Sequence, residues 1–507
     1  MEARELWLLV AALAASLLYY LAVLRRYAGG GSSSSLPLPP GPTPLPLIGN
    51  LLSLRGVLHQ RLASLARVHG PVMALRLGLT TAVVVSSRDA AAEAFTKHDR
   101  RLAARVIPDS NRAHNFSDRS ILWLPSSDPR WKMLRGIQAT HLFSPRGLAA
   151  VRAVRESKVR EIVAYFRSRA GEEVMFGEAI YSGVLNLVSS SFFSVNMAGV
   201  GSEKAHGLRE LVEDLVEAVA KPNVSDLFPF LRHLDLQGLR RRTEKHLARA
   251  FDILDGIIDR RLASATSNTE NRTHRHGDFL DALLDLVSQG KMARDHVTIM
   301  LFEVFGAGSD TMSVSLEWAM AELLRNPHAM RKARAELKHV LGDGDVEEAD
   351  AARLPYLQAV VKESMRLHPV APILLPHRAV EDGVEIGGYA VPRGATVIFN
   401  AWAIMRDAAA WERPDEFVPE RFMEERTPPL DFRGKEHEYM PFGSGRRLCP
   451  GLPLAERVVP FALASLLRAF EWRLPDGVAA EELDVTERFS TVNVLAVPLK
   501  VVPMIIN

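Results

Sequence analysis

The chain has 507 residues, of which 47% are hydrophobic, and its 62 basic and 60 acidic side chains leave a formal net charge of +2 at pH 7. This composition describes a large globular protein, and it excludes a collagen-like or disordered chain and a nucleic-acid partner held by overall charge. The single cysteine, Cys449, excludes an internal disulfide and a zinc ribbon, so it is either buried filler or one special thiolate.

The first predicted element is a membrane anchor. Leu6–Leu24 is an uncharged run of 19 residues, which as a helix would span roughly 28 Å, about one hydrocarbon core. Charges of both signs precede it, while Arg25 and Arg26 follow it. This pattern favours a retained anchor over residues 1–26 rather than a cleaved signal peptide, and places the rest of the chain in the cytosol. The cytosolic side predicts no sugar on the sequons Asn115, Asn223 and Asn271.

A linker joins the predicted anchor to the body of the chain. Gly29–Ser35 contains only Gly and Ser and predicts a flexible spacer, whereas Leu36–Pro46 is rich in proline and predicts a stiff, extended arm. No repeat or shift of composition divides the remainder. We therefore predict a linker over residues 27–46 and one domain over residues 47–507.

The body is predicted to be mostly α-helical with a smaller β-sheet region. Several long stretches carry apolar residues three and four positions apart with charged residues between them, as amphipathic helices do. These stretches are Arg146–Ala170, Leu208–Ala220, Leu239–Ala265, His296–Arg325 and Pro355–Leu367. The runs Val72–Leu77 and Thr81–Ser86 predict a strand pair, and the polar run Thr266–Gly277 predicts an exposed loop.

The surroundings of Cys449 favour a metal-binding thiolate. Glycines flank the cysteine in the run Pro441–Gly451, two arginines precede it, and the mostly apolar run Leu452–Ala464 predicts a helix just after it. A helix start and nearby cations lower the pKa of a thiol, and a bent loop can aim backbone donors at sulfur. The alternative is the nucleophile of a hydrolase, which needs a partner histidine. The spacing around Cys449 indicates no such histidine, but a histidine far along the chain could still fold next to it.

Phe442, Gly445, Arg447, Cys449 and Gly451 have the spacing of the cytochrome P-450 heme-binding signature, and the chain resembles that family. The resemblance implies that the sulfur of Cys449 is the proximal ligand of heme iron, that Arg447 binds a heme propionate, and that Phe442 packs near the sulfur. An electron-rich thiolate also favours cleavage of the O–O bond. The implied fold is the mostly α P-450 fold with a smaller β-sheet region, behind one N-terminal transmembrane helix.

Two further segments match the scaffold of this family. Glu363 and Arg366 lie three residues apart on one predicted helix face, and Arg421 follows in the run Phe417–Phe422. Taken alone, the first pair is an ordinary surface salt bridge. The resemblance implies instead a buried triad of all three side chains that supports the heme pocket and takes no part in catalysis.

The segment Ala307–Thr311 places a glycine inside a predicted helix, which costs roughly 1 kcal/mol relative to alanine. A contact of small residues with another helix would explain it without any function. The resemblance implies instead the family's oxygen-binding groove at Gly308, with Asp310 and Thr311 as the catalytic pair that delivers protons to bound oxygen. Met312 departs from the Thr or Ser usual in plant members, which leaves the pair intact.

Three more side chains are expected to hold the heme propionates. Trp131 and Arg135 repeat the family's tryptophan-to-arginine spacing, which is a weak signal without the cysteine motif. His377 lies where many members have a propionate-binding arginine, and Arg378 follows it. Which of these two residues contacts heme is open in the sequence.

The resemblance implies a heme b monooxygenase of the endoplasmic reticulum membrane. Electrons from NADPH would arrive through cytochrome P-450 reductase, with cytochrome b5 as a second candidate donor, and one atom of O2 would enter a C–H bond. The alternative from another class is a non-catalytic heme sensor. Asp310 and Thr311 argue against it, because a gas sensor has no use for a proton relay.

Largely apolar segments match the pocket-lining regions of the family and predict a lipophilic substrate. They are Val106–Ser120, Phe302–Thr311, Val370–Leu375 and Phe489–Val494. Leu45–Asn50, Glu317–Leu324 and Asn400–Ile404 resemble the plant terpenoid-hydroxylating branch that includes geraniol hydroxylases. The chain most resembles its grass members, which oxidise labdane-related diterpenes toward defensive phytoalexins. This implies a diterpene hydroxylase, with a monoterpenol hydroxylase of the same mechanism as the alternative.

Overall fold

The computed structural model describes residues 7, 11, 14, 15, 18, 36–267, 276–342, 344–423, 430–489 and 491–506. The five described positions before residue 19 are helical, but the predicted anchor over residues 1–26 otherwise lies outside the described residues. In the part of the chain that is described, no helix is both long enough and apolar enough to cross a membrane.

Helices make up most of the structure, as the sequence predicts. The α-helices are α1 (Leu58–His69), α2 (Arg88–Lys97), α3 (Asp99–Leu102), α4 (Pro129–Ile137), α5 (Pro145–Ala150), α6 (Arg152–Ser168), α7 (Phe176–Phe193), α8 (Glu203–Ala220), α9 (Val224–Leu227), α10 (Leu239–Ser267), α11 (Phe279–Ser288), α12 (Arg294–Arg325), α13 (Pro327–Leu341), α14 (Pro355–Leu367), α15 (Ala401–Ile404) and α16 (Leu452–Ala469). Shorter helical turns of the 3-10 type include Asp109–Asp118, Pro229–Leu234, Pro419–Phe422 and Gly445–Arg447.

The strands form small sheets at the edges of the helical body. They are β1 (Val72–Leu77), β2 (Thr80–Val85), β3 (Ala104–Arg105), β4 (Val174–Met175), β5 (His377–Arg378), β6 (Val384–Ile386), β7 (Tyr389–Val391), β8 (Thr396–Phe399), β9 (Phe470–Arg473), β10 (Glu487–Phe489), β11 (Asn493–Leu495) and β12 (Lys500–Ile505). A five-stranded sheet has the order β1-β2-β8-β5-β3, in which only β2 and β8 run parallel. The pair β3–β5 sets Arg105 opposite His377.

The central element is the 32-residue helix α12. It packs against α7, α10, α11, α13, α14 and α16. Every residue from Met312 to Leu324 is buried, so this half of the helix is enclosed on all its faces. Ala307, in the middle of the same helix, is exposed. That exposure shows accessible space beside Ala307, which we call the cavity.

The differences from the sequence predictions have local causes. The predicted helix Arg146–Ala170 is split into α5 and α6 because Val151 leaves the helical conformation, with φ −110° and ψ 17°. The predicted loop Thr266–Gly277 begins later, because α10 continues through Ser267, and residues 268–275 lie outside the described residues. Helix α7 was not predicted, because almost all its residues are buried and it lacks the polar face on which the pattern depends.

The predicted charge triad is present and buried. Glu363 accepts from Arg366 at 2.7 Å and from Arg421 at 3.0 Å. Arg366 also donates to the carbonyl oxygens of Met405 at 2.9 Å and Pro414 at 2.7 Å. The triad therefore ties α14 to the irregular chain that leads toward the cysteine loop, which is a scaffold role.

Candidate active site around Cys449

The cysteine sits in a tight loop whose shape depends on glycine. Gly443 and Gly445 have φ values of +76° and +64°, in the left-handed region that other residues avoid. A Cβ at Gly445 would also lie 2.3 Å from Oδ1 of Asp99. The backbone N–H of Cys449 donates to the carbonyl oxygen of Phe442 at 3.0 Å, which closes the loop.

The sulfur of Cys449 lies at the start of α16, where backbone donors surround it. Burial raises the pKa of the Cys449 thiol, whereas the N–H groups of Gly451 and Leu452 and the charge of Arg135 lower it. These donors favour the thiolate, and binding to a metal ion removes the proton outright. The loop is therefore built for a metal-bound sulfur more than for a free thiol.

Three partly buried guanidinium groups lie next to this loop. Burial lowers the pKa of Arg105 to about 9 and that of Arg447 to about 10, and it also lowers the pKa of Arg135. Arg447 donates to the carbonyl oxygens of Ala103, Ile121 and Leu124. Arg105 donates to Leu375 and Arg135 to Leu448. Within the described part of the chain, none of the three arginines forms an ion pair with a carboxylate. The cluster therefore suits an anionic ligand.

Two more predicted residues face the same cluster. The guanidinium carbon of Arg447 lies over the ring of Trp131, 5.1 Å from the ring centre. The buried Trp131 Nε1 has no hydrogen-bond partner among the described residues. His377 is buried and donates from Nδ1 to Leu102 at 2.8 Å, whereas Arg378 is exposed. Burial, with Arg105 and Arg447 nearby, holds the pKa of His377 well below its usual range. The histidine, not Arg378, therefore belongs to the cluster.

On α12, Asp310 is buried and Thr311 follows it. Burial raises the pKa of Asp310 to about 6, against the opposing charge of Arg209, while Glu213 adds to the rise. The Thr311 hydroxyl donates to the carbonyl oxygen of Ala307 at 2.7 Å, so its oxygen can still accept a hydrogen bond. Near neutral pH, the carboxyl group of Asp310 can therefore both take and release a proton.

The neighbours of Asp310 come from α7 and α8. Arg209 lies 5.1 Å from the ring centre of Tyr181 and donates to Glu213 at 2.8 Å. In the described structure, the buried hydroxyl oxygen of Tyr181 has no hydrogen-bond partner. Sequence reasoning missed Arg209 and Tyr181, because Arg209 and Glu213 look like an ordinary i,i+4 surface pair.

Gly308 faces α7. A Cβ at this position would lie 3.5 Å from Val188, which is an ordinary contact. The geometry therefore fits a packing contact between α12 and α7, and an alanine at position 308 would also fit. The oxygen-binding groove at Gly308 stays a prediction.

A family model described as "Cytochrome P450" matches residues 39–498. The chain is a cytochrome P450. It is 87% identical over 511 residues to "Cytochrome P450 76M5" of Oryza sativa subsp. japonica, with all of both chains covered. It is 65% identical to "Oryzalexin E synthase" over 99% of this chain and 98% of the relative, and 64% identical to "Ent-cassadiene C11-alpha-hydroxylase 1" over all of both, each from the same organism.

Solved structures agree with this assignment. A zebrafish cytochrome P450 described with progesterone has a TM-score of 0.73 and 25% identity, and the match covers 88% of this chain and 99% of that chain. The P450 fold predicted from the sequence is thus confirmed. Membership of the monooxygenase family also sets aside the hydrolase and the non-catalytic sensor as alternatives.

Heme is the cofactor of the P450 family, and the residues around Cys449 fit it. The sulfur of Cys449 can bind the heme iron, and the arginines can pair with the two heme propionates. The Trp131 Nε1, which has no hydrogen-bond partner among the described residues, can donate a further hydrogen bond. Cys449 would hold the iron, and Arg105, Arg135, Arg447, Trp131 and His377 are placed to hold the propionates. Sequence reasoning missed Arg105, because nothing near it in the sequence marks it; only its pairing with His377 across β3–β5 does.

We expect the substitution Arg105→Gln to weaken the hold on heme. Loss of a charge-assisted hydrogen bond to a propionate should speed heme transfer to apomyoglobin by about tenfold. The exposed Arg100 offers a matched control, and Arg100→Gln should leave the transfer rate unchanged. Equal rates for the wild type and Arg105→Gln would show that Arg105 does not bind the cofactor.

Proposed function

We propose that this monooxygenase hydroxylates a labdane-related diterpene in phytoalexin biosynthesis. The main support is identity of 64% to 65% over essentially the whole chain with rice enzymes whose names state an oryzalexin synthase and an ent-cassadiene hydroxylase. Identity at this level indicates the same fold, whereas the carbon that is attacked depends on a few pocket residues.

The apolar cluster at the first half of α12 supports a lipophilic substrate. Phe302 packs edge-to-face against Phe116 and Phe251, with ring centres 5.6 and 5.5 Å apart. Leu211, Leu215 and Ile299 complete the cluster between α8, α10 and α12. Such walls bind a hydrocarbon through apolar contact and do not require a polar group on it.

The chain's own contribution to the reaction is binding, orientation and proton supply. Bound heme supplies the activation of O2 that inserts oxygen into a C–H bond. Asp310 would hold a proton at its carboxyl group and release it toward the cavity, and the Thr311 oxygen would accept a hydrogen bond there. Arg209 and Glu213 set how readily Asp310 gives up its proton, because they act on its charge from the surface side.

P450 enzymes take electrons from a redox partner, and here NADPH-cytochrome P-450 reductase is the proposed donor, with cytochrome b5 as a second. The proposed location is the endoplasmic reticulum membrane, with the domain facing the cytosol. Exposed apolar side chains support a membrane-facing surface: Leu45, Leu47, Leu52, Leu79, Phe230, Leu234 and Leu236. The loop at Leu79 adjoins two of the segments that lead to these side chains, because the N–H of Gly78 donates to Ile48 and that of Leu79 donates to Leu227.

We expect the full-length chain to sediment with yeast microsomes and to stay there after alkaline carbonate washing. A chain that starts at Leu36 should be released by the wash if residues 1–26 anchor it. Retention of the shortened chain would instead assign the attachment to the exposed apolar surface. Release of both chains would contradict the membrane location.

We expect microsomes that contain this chain and a plant reductase to convert a labdane-related diterpene hydrocarbon to a hydroxylated product when NADPH is supplied. The Cys449→Ser variant is the matched control, and it should lose both the product and the thiolate-type Soret band of the reduced, CO-bound protein. Oxidation of geraniol but of no diterpene would keep the mechanism and reject the diterpene substrate.

We expect Asp310→Asn to lower product formation by about 100-fold, since proton transfer by a positioned side chain contributes on this order. The CO-bound spectrum should stay unchanged, and NADPH should still be consumed. Thr311→Val, which removes only the hydroxyl, should lower the product formed per NADPH in the same direction. Product yields equal to the wild type in both variants would contradict the proposed relay.

A further inference from the structure

Glu303 is a partly buried carboxyl group on α12 that the proposed mechanism does not use. Its oxygens accept from the hydroxyl of Ser120 and from the backbone N–H groups of Ile121 at 3.3 Å and Leu122 at 3.1 Å. Burial raises the pKa of Glu303 to about 7, while these three donors lower it. In the described residues, no basic side chain forms an ion pair with it. Its hydrogen bonds go only to the segment Ser120–Leu124.

That segment is a tight turn held from two sides. The N–H groups of Trp123 and Leu124 both donate to the carbonyl oxygen of Ser120, at 3.2 and 2.9 Å. The carbonyl oxygens of Ile121 and Leu124 accept from Arg447. Ile121 thus bonds to Glu303 through its N–H and to Arg447 through its carbonyl group. The turn is a physical connection between α12 and the cysteine loop.

One residue of the turn also belongs to the apolar cluster around Phe302. Trp123 packs in the same cluster as Phe116 and Ile299. On α12, Glu303 precedes Ala307 by four residues and Asp310 by seven, so these three positions share one helix face. Ala307 opens on the cavity. Movement of the turn would therefore change the shape of the cavity on the side where Asp310 lies.

We propose that Glu303 is a positioning residue that latches the Ser120–Leu124 turn to α12 and thereby determines how tightly the substrate fits. The inference rests on the proposed function only for the identity of the substrate. A carboxylate suits this role because its two oxygens can accept all three donors at once, which no neutral side chain of the same length does. The hydrogen bonds of Glu303 to this turn involve neither Cys449 nor the N–H groups of Gly451 and Leu452.

The first test is hydrogen exchange of the heme-loaded enzyme. In Glu303→Gln, the amides of Ile121 and Leu122 lose an anionic acceptor, so a peptide that covers this turn should exchange about tenfold faster than in the wild type. The exposed Glu244 on α10 provides the matched control, and Glu244→Gln should leave the exchange unchanged. Unchanged exchange in Glu303→Gln would overturn the latch. This readout does not require any substrate.

The second test separates binding from chemistry. The dissociation constant of the diterpene, measured by the shift of the Soret band, should rise about tenfold in Glu303→Gln, whereas kcat should stay within about twofold. The thiolate-type CO band should stay in place. A fall in kcat with an unchanged dissociation constant would contradict the positioning role. Faster exchange in an enzyme that binds no diterpene would support the latch and reject the diterpene substrate.

The variant Ser120→Ala tests the same contact independently, in case Glu303→Gln does not fold. It removes one of the three donors and should give a smaller rise of the dissociation constant in the same direction. The double variant Ser120→Ala with Glu303→Gln should bind the diterpene as tightly as Glu303→Gln alone, because both changes break the same contact. Full additivity, or no effect of Ser120→Ala on exchange and affinity, would overturn the proposal.

Discussion

The structure depends on a cluster of positive charge next to the cysteine loop. Arg105, Arg135 and Arg447 are partly buried and donate only to backbone carbonyl groups in the described structure. An anionic ligand would pair with these guanidinium groups. Near them, two backbone N–H groups point at the sulfur of Cys449. Both features fit a cofactor that brings two carboxylates and a metal ion.

Glu303 and Asp310 are two carboxyl groups on helix α12 with different surroundings. Glu303 accepts two backbone N–H groups and a hydroxyl, so fixed donors hold its oxygens. Asp310 forms no hydrogen bond among the described side chains, and Arg209 and Glu213 act on it only through their charges. A carboxyl group without fixed donors is free to exchange a proton with a bound molecule, whereas one that is held by three donors is better suited to hold structure. The same helix therefore supports a positioning role and a proton-transfer role seven residues apart.

The sequence predicted those features that local chemistry determines. The cysteine loop follows from glycines that need a positive φ, and α14 follows from its amphipathic spacing. It did not predict α7, which has no polar face, or Arg105, which reaches the site through the pairing of β3 with β5. Arg209 and Glu303 were missed for a related reason. Each looks like a solvated helix residue until the elements that cover it are known, and those contacts join positions far apart in the chain.

The substrate is the feature that the sequence constrains least, and the site explains why. Hydrogen bonds and charges identify the cofactor, because three guanidinium groups and one sulfur admit few partners. The cluster around Phe116, Phe251 and Phe302 offers only apolar contact, which depends on shape and discriminates between similar hydrocarbons by about 1–3 kcal/mol per methylene group. The position of each wall then decides which carbon lies over the reactive centre. A turn fixed by Glu303 at one edge of that wall can therefore change specificity while the catalytic residues stay the same.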